Sequence, residues 1–195
     1  GLGERGLALL GYSFGGAVAT HVTARMPERV RTLLLSGAWA TWRPRPAAAR
    51  WAVRLGLGGA IRRVWWSSVE RALNEGFEDP TRDAAHIARM VEVERAIVAA
   101  DEEKFWRAIL GTMRDFPTDT QKVLRTLGGT PRPTLLAWGR SDNVSPVVDA
   151  HAMHAALPGS ELVLLAGSHN DPWLVPGMRE PLRDAFLRFL RAHPP

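Results

Sequence analysis

The sequence predicts an α/β fold, with a parallel sheet of about four strands interrupted midway by a helical insertion. Three observations carry that prediction. Short apolar runs alternate with helical stretches near both ends of the chain, as expected of strands buried on both faces. From Thr41 to about Gly129 no run of comparable strength occurs. The residues able to do chemistry stand just beyond the apolar runs, where doubly wound sheets gather their functional groups.

Leu7 to Leu10 is the first strand candidate. Phe14 to about Arg25 favours helix, and Met26-Pro27 ends it, because a residue before proline is pushed out of the helical region. Val30 to Ser36 (VRTLLLS) is the second strand. Strand, helix and strand in close succession form one βαβ unit, so these two strands are expected to be parallel. Pro44 and Pro46 mark a linker into the insertion, where segments 47–57, 60–74, 81–98, 101–114 and 119–127 read as helices. Gly58-Gly59, Asp79-Pro80 and Phe116-Pro117 separate them. The sheet pattern returns at Pro133 to Trp138 (PTLLAW), followed by a helix from about Pro146 to Leu157. Glu161 to Leu165 (ELVLL) is the fourth strand. An amphipathic last helix covers roughly 178–191, with Leu182, Phe186, Phe189 and Leu190 on one side. The expected organisation is core over 1–40, helical insertion over 41–129 and core again over 130–195.

Composition narrows the function classes. There is no cysteine, so disulfides and thiolate chemistry are excluded, and a reducing, cytoplasmic location is expected. No apolar run approaches the roughly 18 residues of a membrane span. The formal charge of +5 invites a phosphate-binding reading. However, 23 of the 25 cations are arginines spread along most of the chain, with no nucleic-acid motif beside them. A solvated cationic face is the better account, and no nucleic-acid partner is expected. The stretch WAVRLGLGGAIRRVWW mixes apolar and cationic positions, but Gly56, Gly58 and Gly59 weaken it as a membrane-surface helix.

The strand ends carry the chemistry. Gly11-Tyr12-Ser13-Phe14-Gly15-Gly16 has the G-x-S-x-G pattern between a strand and a helix. Such a turn throws a serine hydroxyl clear of the sheet, and the flanking glycines Gly11 and Gly15 remove side chains that would collide. The helix begins with N–H groups facing the serine, so the Phe14 N–H is the candidate oxyanion donor. Ser13 is the candidate nucleophile and needs a base to take its proton.

Six histidines compete for that role. His21 lies too far along the nucleophile helix, His86 falls in the insertion, His193 in the tail, and His151 and His154 share one helix. His169 alone follows a strand end in a loop, and is the candidate base. Asp142, beyond the third strand, is the candidate carboxylate that orients it, with a turn or N-cap role as the competing account. Asp149 and Asp171 are weaker alternatives. Ser13, Asp142 and His169 follow one another in the order expected of this kind of site.

These residues resemble the α/β-hydrolase superfamily. GYSFGG is similar to its nucleophile elbow, PERVRTLLLSGA to the helix exit and next strand, and PTLLAWGRSDNVSP to the strand and loop carrying the acid. GSHNDPWLVPG is similar to the loop carrying the histidine. The resemblance implies that the insertion is a cap over the active site. It also implies that Trp39 lines the acyl or leaving-group pocket, with other tryptophans as apolar walls or as core. A serine nucleophile excludes haloalkane dehalogenases and epoxide hydrolases, which use aspartate. The implied function is a serine hydrolase cleaving a carboxylic ester, thioester or lactone through an acyl-enzyme, with a small-molecule acyl substrate and no metal or organic cofactor. An acyltransferase using the same triad, or a ligand-binding module of this fold, stays open.

The family ordinarily has several strands before the elbow and takes a second oxyanion donor from an earlier loop. Only Gly1 to Gly6 precede the first strand here, so about four strands are expected to be missing from a longer protein. The 195-residue chain by itself is then expected to be poorly soluble or nearly inactive, with one open sheet edge and one oxyanion donor.

Overall fold

The computed structural model describes residues 6–39, 45–115 and 120–195. Trp42, Arg43, Pro44 and the Phe116-Pro117 break lie outside the described residues. The chain divides into two compact units, one formed by Gly1–Thr41 with Asp119–Pro195 and the other by Trp42–Thr118.

The first unit holds a four-stranded parallel sheet in the order β1-β2-β3-β4, with β1 Leu7–Tyr12, β2 Val30–Ser36, β3 Thr134–Gly139 and β4 Glu161–Leu165. Helices α1 (Phe14–Arg25), α6 (Thr120–Gly128) and α7 (Val147–Ala156) cover one face, and α9 (Arg179–Ala192) covers the other. The two faces follow from strand alternation. Leu33, Leu35, Leu136 and Trp138 point to Ala19, Leu124, Leu127 and Met153, whereas Leu34, Leu135 and Ala137 point to Leu182, Ala185, Phe186 and Phe189. Two positions differ from the sequence expectation. Residues 120–128 pack into this core through Leu124 and Leu127, so the helical insertion ends sooner than residue 129. β1 is also not buried on both faces: Ala8 and Leu10 are exposed, Leu10 by 45%, because they point to the face that α9 covers over β3 and β4.

The second unit is helical: α2 (Arg45–Arg54), α3 (Gly58–Glu75), α4 (Ala84–Ala100) and α5 (Glu102–Asp115). α5 packs against α2 and α4, and α4 packs against α3. Pro46 lies inside the first turn of α2, where a missing N–H costs nothing. Gly58-Gly59 opens α3 instead of separating two helices, and the turn is made at Gly56, at φ +78°. At the Asp79-Pro80 break, after α3 has ended at Glu75, Asp79 Oδ1 accepts the N–H groups of Thr81 (3.1 Å) and Arg82 (2.9 Å) and caps the turn that leads into α4. Trp65, Phe105 and Trp106 meet edge to face with centroids 5.2 to 5.7 Å apart, making these aromatics the unit's own core. Trp51, by contrast, is 61% exposed. Among the described residues no helix is long and apolar enough to cross a membrane.

Candidate active site

The turn after β1 is held in an uncommon conformation. Ser13 has φ +53° and ψ −125°, and is the one non-glycine residue with positive φ among those described. Such a conformation costs on the order of 1–3 kcal/mol and persists only where the surroundings over-determine it. Here they do. The Ser13 N–H donates to the Ser36 carbonyl (3.0 Å), while the Ser13 carbonyl accepts from Gly16 (2.9 Å) and Trp39 (3.3 Å). A Cβ on Gly11 would lie 2.6 Å from Gly16 Cα, and one on Gly16 would lie 2.3 Å from Ala38 Cβ. The second packing glycine is therefore Gly16, since Gly15 meets nothing within 4 Å. Phe14 opens α1, so its N–H belongs to the positive end of the helix. Its ring meets Trp39 edge-on at 5.7 Å.

Asp142 and His169 come from two loops packed backbone against backbone. Arg140 N–H donates to Leu165 and Ser141 N–H to Gly167, at 2.9 and 3.1 Å. The carboxylate of Asp142 divides its work between its two oxygens. Oδ1 accepts the N–H groups of Val144 (3.0 Å) and Ser145 (2.6 Å), and Oδ2 lies 2.8 Å from His169 Nδ1. The turn role and the histidine-orienting position, competing accounts in the sequence, are both filled by one side chain. Both side chains are buried, with 0% of Asp142 and 5% of His169 exposed. An ionised carboxylate only accepts, so Nδ1 carries the proton of a neutral His169 and Nε2 is left as the acceptor. Nε2 is buried and has no hydrogen-bond partner among the described residues.

Ser13 Oγ and His169 Nε2 are not hydrogen-bonded, but one segment links their neighbourhoods. Ser13 is bonded to Ser36 and Trp39, and between these two lies Gly37. A Cβ on Gly37 would stand 2.9 Å from His169 Cε1 and 3.3 Å from Asp142 Oδ2, and its φ is +51°. Sequence reasoning passed over Gly37, although a glycine at a strand end among candidate site residues was a legible signal. Tyr12, Asn170 and Trp173 were also missed. Tyr12 donates its hydroxyl to Asn170 Oδ1, and its ring lies 5.0 Å from that of His169. No motif marks such a cross-loop pair.

The remaining candidates lie elsewhere. Asp171 is fully buried at the start of the short helix α8 (Asp171–Leu174) and accepts the Ser168 N–H at 2.6 Å. Asp149 sits in the first turn of α7. His21 is half-buried on α1 and His86 half-buried on α4; His151 is exposed. His154 Nδ1 pairs with Ser160 Oγ at 2.8 Å, and His193 lies against Phe189. Among the described residues, no three or more His, Asp or Glu side chains cluster to hold a metal ion.

Comparison with known proteins agrees with this architecture. The chain is 26% identical to an uncharacterised protein of Mycobacterium bovis, over 85% of this chain and 52% of the relative. It is 28% identical to a pimeloyl-[acyl-carrier protein] methyl ester esterase of Xanthomonas axonopodis, over 95% of this chain and 71% of that enzyme. The solved structure of a thermophilic esterase from Thermogutta terrifontis superposes with a TM-score of 0.71 at 26% identity, covering 96% of this chain and 66% of that one. The chain thus spans about half the length of the first of these relatives and about two thirds of the solved esterase. Residues 3–168 match the serine aminopeptidase S33 family. The chain belongs to that family of α/β-hydrolases.

Proposed function

We propose that the whole protein is a serine hydrolase that cleaves a carboxylic ester, thioester or lactone through an acyl-enzyme. The observation that carries this reading is the buried Asp142–His169 pair, with Nδ1 bound and Nε2 open, beside a serine on a strained strand-to-helix turn. Ser13 Oγ forms a bond to the substrate carbonyl carbon as His169 Nε2 takes its proton. Asp142 stabilises the imidazolium and holds its orientation without itself becoming protonated. The Phe14 N–H, at the head of α1, donates to the oxyanion. The imidazolium then protonates the leaving oxygen or sulfur as its bond to carbon breaks. Water attacks the acyl-enzyme, giving a proton to Nε2, and that proton returns to Ser13 as the acid departs.

The names of two relatives support ester cleavage: the Xanthomonas enzyme is a methyl ester esterase and the Thermogutta protein is an esterase. Trp39, packed on Phe14, is assigned to the substrate pocket. The open edge of β1 is assigned to further strands of the whole protein, in keeping with its longer relatives. A cysteine-free chain also suits a reducing cytoplasm. Ser13→Ala in the whole protein is expected to abolish turnover of short p-nitrophenyl esters and labelling by a fluorophosphonate. Undiminished turnover by Ser13→Ala would refute the proposal.

A further inference from the structure

The residue immediately before the serine and the residue immediately after the histidine are joined to one another. Tyr12 is the last residue of β1, and its hydroxyl donates to Asn170 Oδ1, with the His169 carbonyl at 3.3 Å as a second acceptor. Its ring lies against the His169 imidazole, centroids 5.0 Å apart and planes 31° apart. Trp173 backs it from the other direction at 5.1 Å, and the Trp173 indole N–H is fixed on Ser36 Oγ at 3.0 Å. Asn170 is itself buried, at 6% exposure. The imidazole of His169 is thus held at Nδ1 by Asp142, whereas its main chain is held by Tyr12.

From this arrangement we propose that Tyr12 and Asn170 are positioning residues for His169, with the Tyr12 hydroxyl clamping the histidine loop to the nucleophile turn. The proposal rests on the serine-hydrolase reading above. Its physical content is geometric. A proton shuttle must come within about 3 Å of the serine oxygen, and the base reaches that place through its loop backbone as well as through its carboxylate. Asp142 fixes one ring nitrogen and the Ser141–Gly167 bond ties the start of the loop, but the ring still follows any movement of the backbone at residues 168–170. The Tyr12–Asn170 bond restricts that movement by tying the loop to β1, whose last residue precedes Ser13. Tyr12 suits the task because it stays a donor. Burial first, and then the nearby carboxylates of Asp142 and Asp171, push its phenol well above the ordinary tyrosine range. Its place as the unspecified residue of G-x-S-x-G explains why the motif does not reveal it.

Tyr12→Phe separates hydroxyl from ring, since it keeps the packing on His169 and Trp173 and removes only the donor. In the whole protein acting on a p-nitrophenyl ester, Tyr12→Phe is expected to lower kcat about tenfold, as small misplacements of a catalytic group do. KM should stay within about twofold and Tm within about 3 °C. Asn170→Ala should behave alike, and the double variant should fall no further than the worse single one. Wild-type kcat in Tyr12→Phe, a loss confined to KM, or losses that multiply in the double variant would overturn the proposal. Should Tyr12→Phe not fold, Asn170→Ser decides, because it leaves Tyr12 whole: reduced kcat supports the clamp and unchanged kcat removes it. Ser13→Ala is assayed alongside. If it is inactive while Tyr12→Phe is unimpaired, the clamp alone fails; if it retains turnover, the serine-hydrolase reading fails and the clamp with it.

Discussion

Gly16 and Gly37 in the sheet unit and Gly111 in the helical unit meet opposite surroundings. At the site end of the sheet unit, a Cβ on Gly16 or Gly37 would press within 3 Å of Ala38 or His169. In the helical unit, one on Gly111 would meet nothing within 4 Å. Two carboxylates, one from each unit, differ in the same way. Asp142 is fully buried against His169, whereas the Glu103–Arg107 pair on α5 is 86% and 72% exposed. The contrast teaches where this molecule stores its specificity. Around Ser13 the backbone is held by Ser36, Gly16 and Trp39, so a strained turn persists beside a buried carboxylate–imidazole pair. On α5 the Glu103–Arg107 pair and Gly111 face solvent or open space, so substitution at these positions is expected to be tolerated.

The largest test of that contrast is Asp142→Asn. Oδ1 can still cap Val144 and Ser145, but the amide no longer enforces the Nδ1–H tautomer of His169. Activity is expected to fall about 10⁴-fold with folding preserved, as kcat and a denaturant titration would show. A loss as large from replacing Glu103 would break the comparison.

Next in size, Gly37→Ala is expected to cost about 3 kcal/mol, because it combines a left-handed backbone with a Cβ pressed against His169. Chemical unfolding reads the stability, and kcat should fall as the imidazole is displaced.

The alkaline limb gives a third measurement. Unfolded, the Tyr12 phenol loses its proton near pH 10, whereas in the folded protein burial and neighbouring carboxylates hold the proton to higher pH. Above pH 10 the folded state therefore binds more protons, and stability falls as pH rises. The contribution is intact below pH 10 and declines by about 1 kcal/mol over the first full unit above it. Tyr12→Phe should remove that slope, and a difference titration near 295 nm should show the raised phenol directly.

The smallest effect is Gly111→Ala on α5. With open space for the methyl and a better helix former, stability should rise by about 0.5 kcal/mol, read as a small increase in Tm. A destabilisation there as large as that of Gly37→Ala would remove the distinction between the two units.

How much of this was legible differs by element. Val30–Ser36 and Glu161–Leu165 were readable to the residue, because an apolar run closed by turn chemistry is a local signal. The start of α3 was misread: two glycines suggested a break, yet the backbone turns at Gly56 and the helix tolerates Gly58 and Gly59. The short helix α8 escaped notice because four residues carry no periodicity.

By itself the sequence determined the α/β class, the order of its strands and helices, and the Ser, Asp and His at three strand ends. All of these depend on periodicity and turn preferences between near neighbours. Only the tertiary structure decided that Leu10 is exposed while Leu135 and Leu136 are buried, since equally apolar runs differ only in what lies beside them. It also decided that α6 belongs with the sheet, that Asp142 divides its oxygens between a turn and His169, and that Tyr12 meets Asn170. Those contacts join residues far apart in the chain, and no local preference encodes which distant partner a side chain will find.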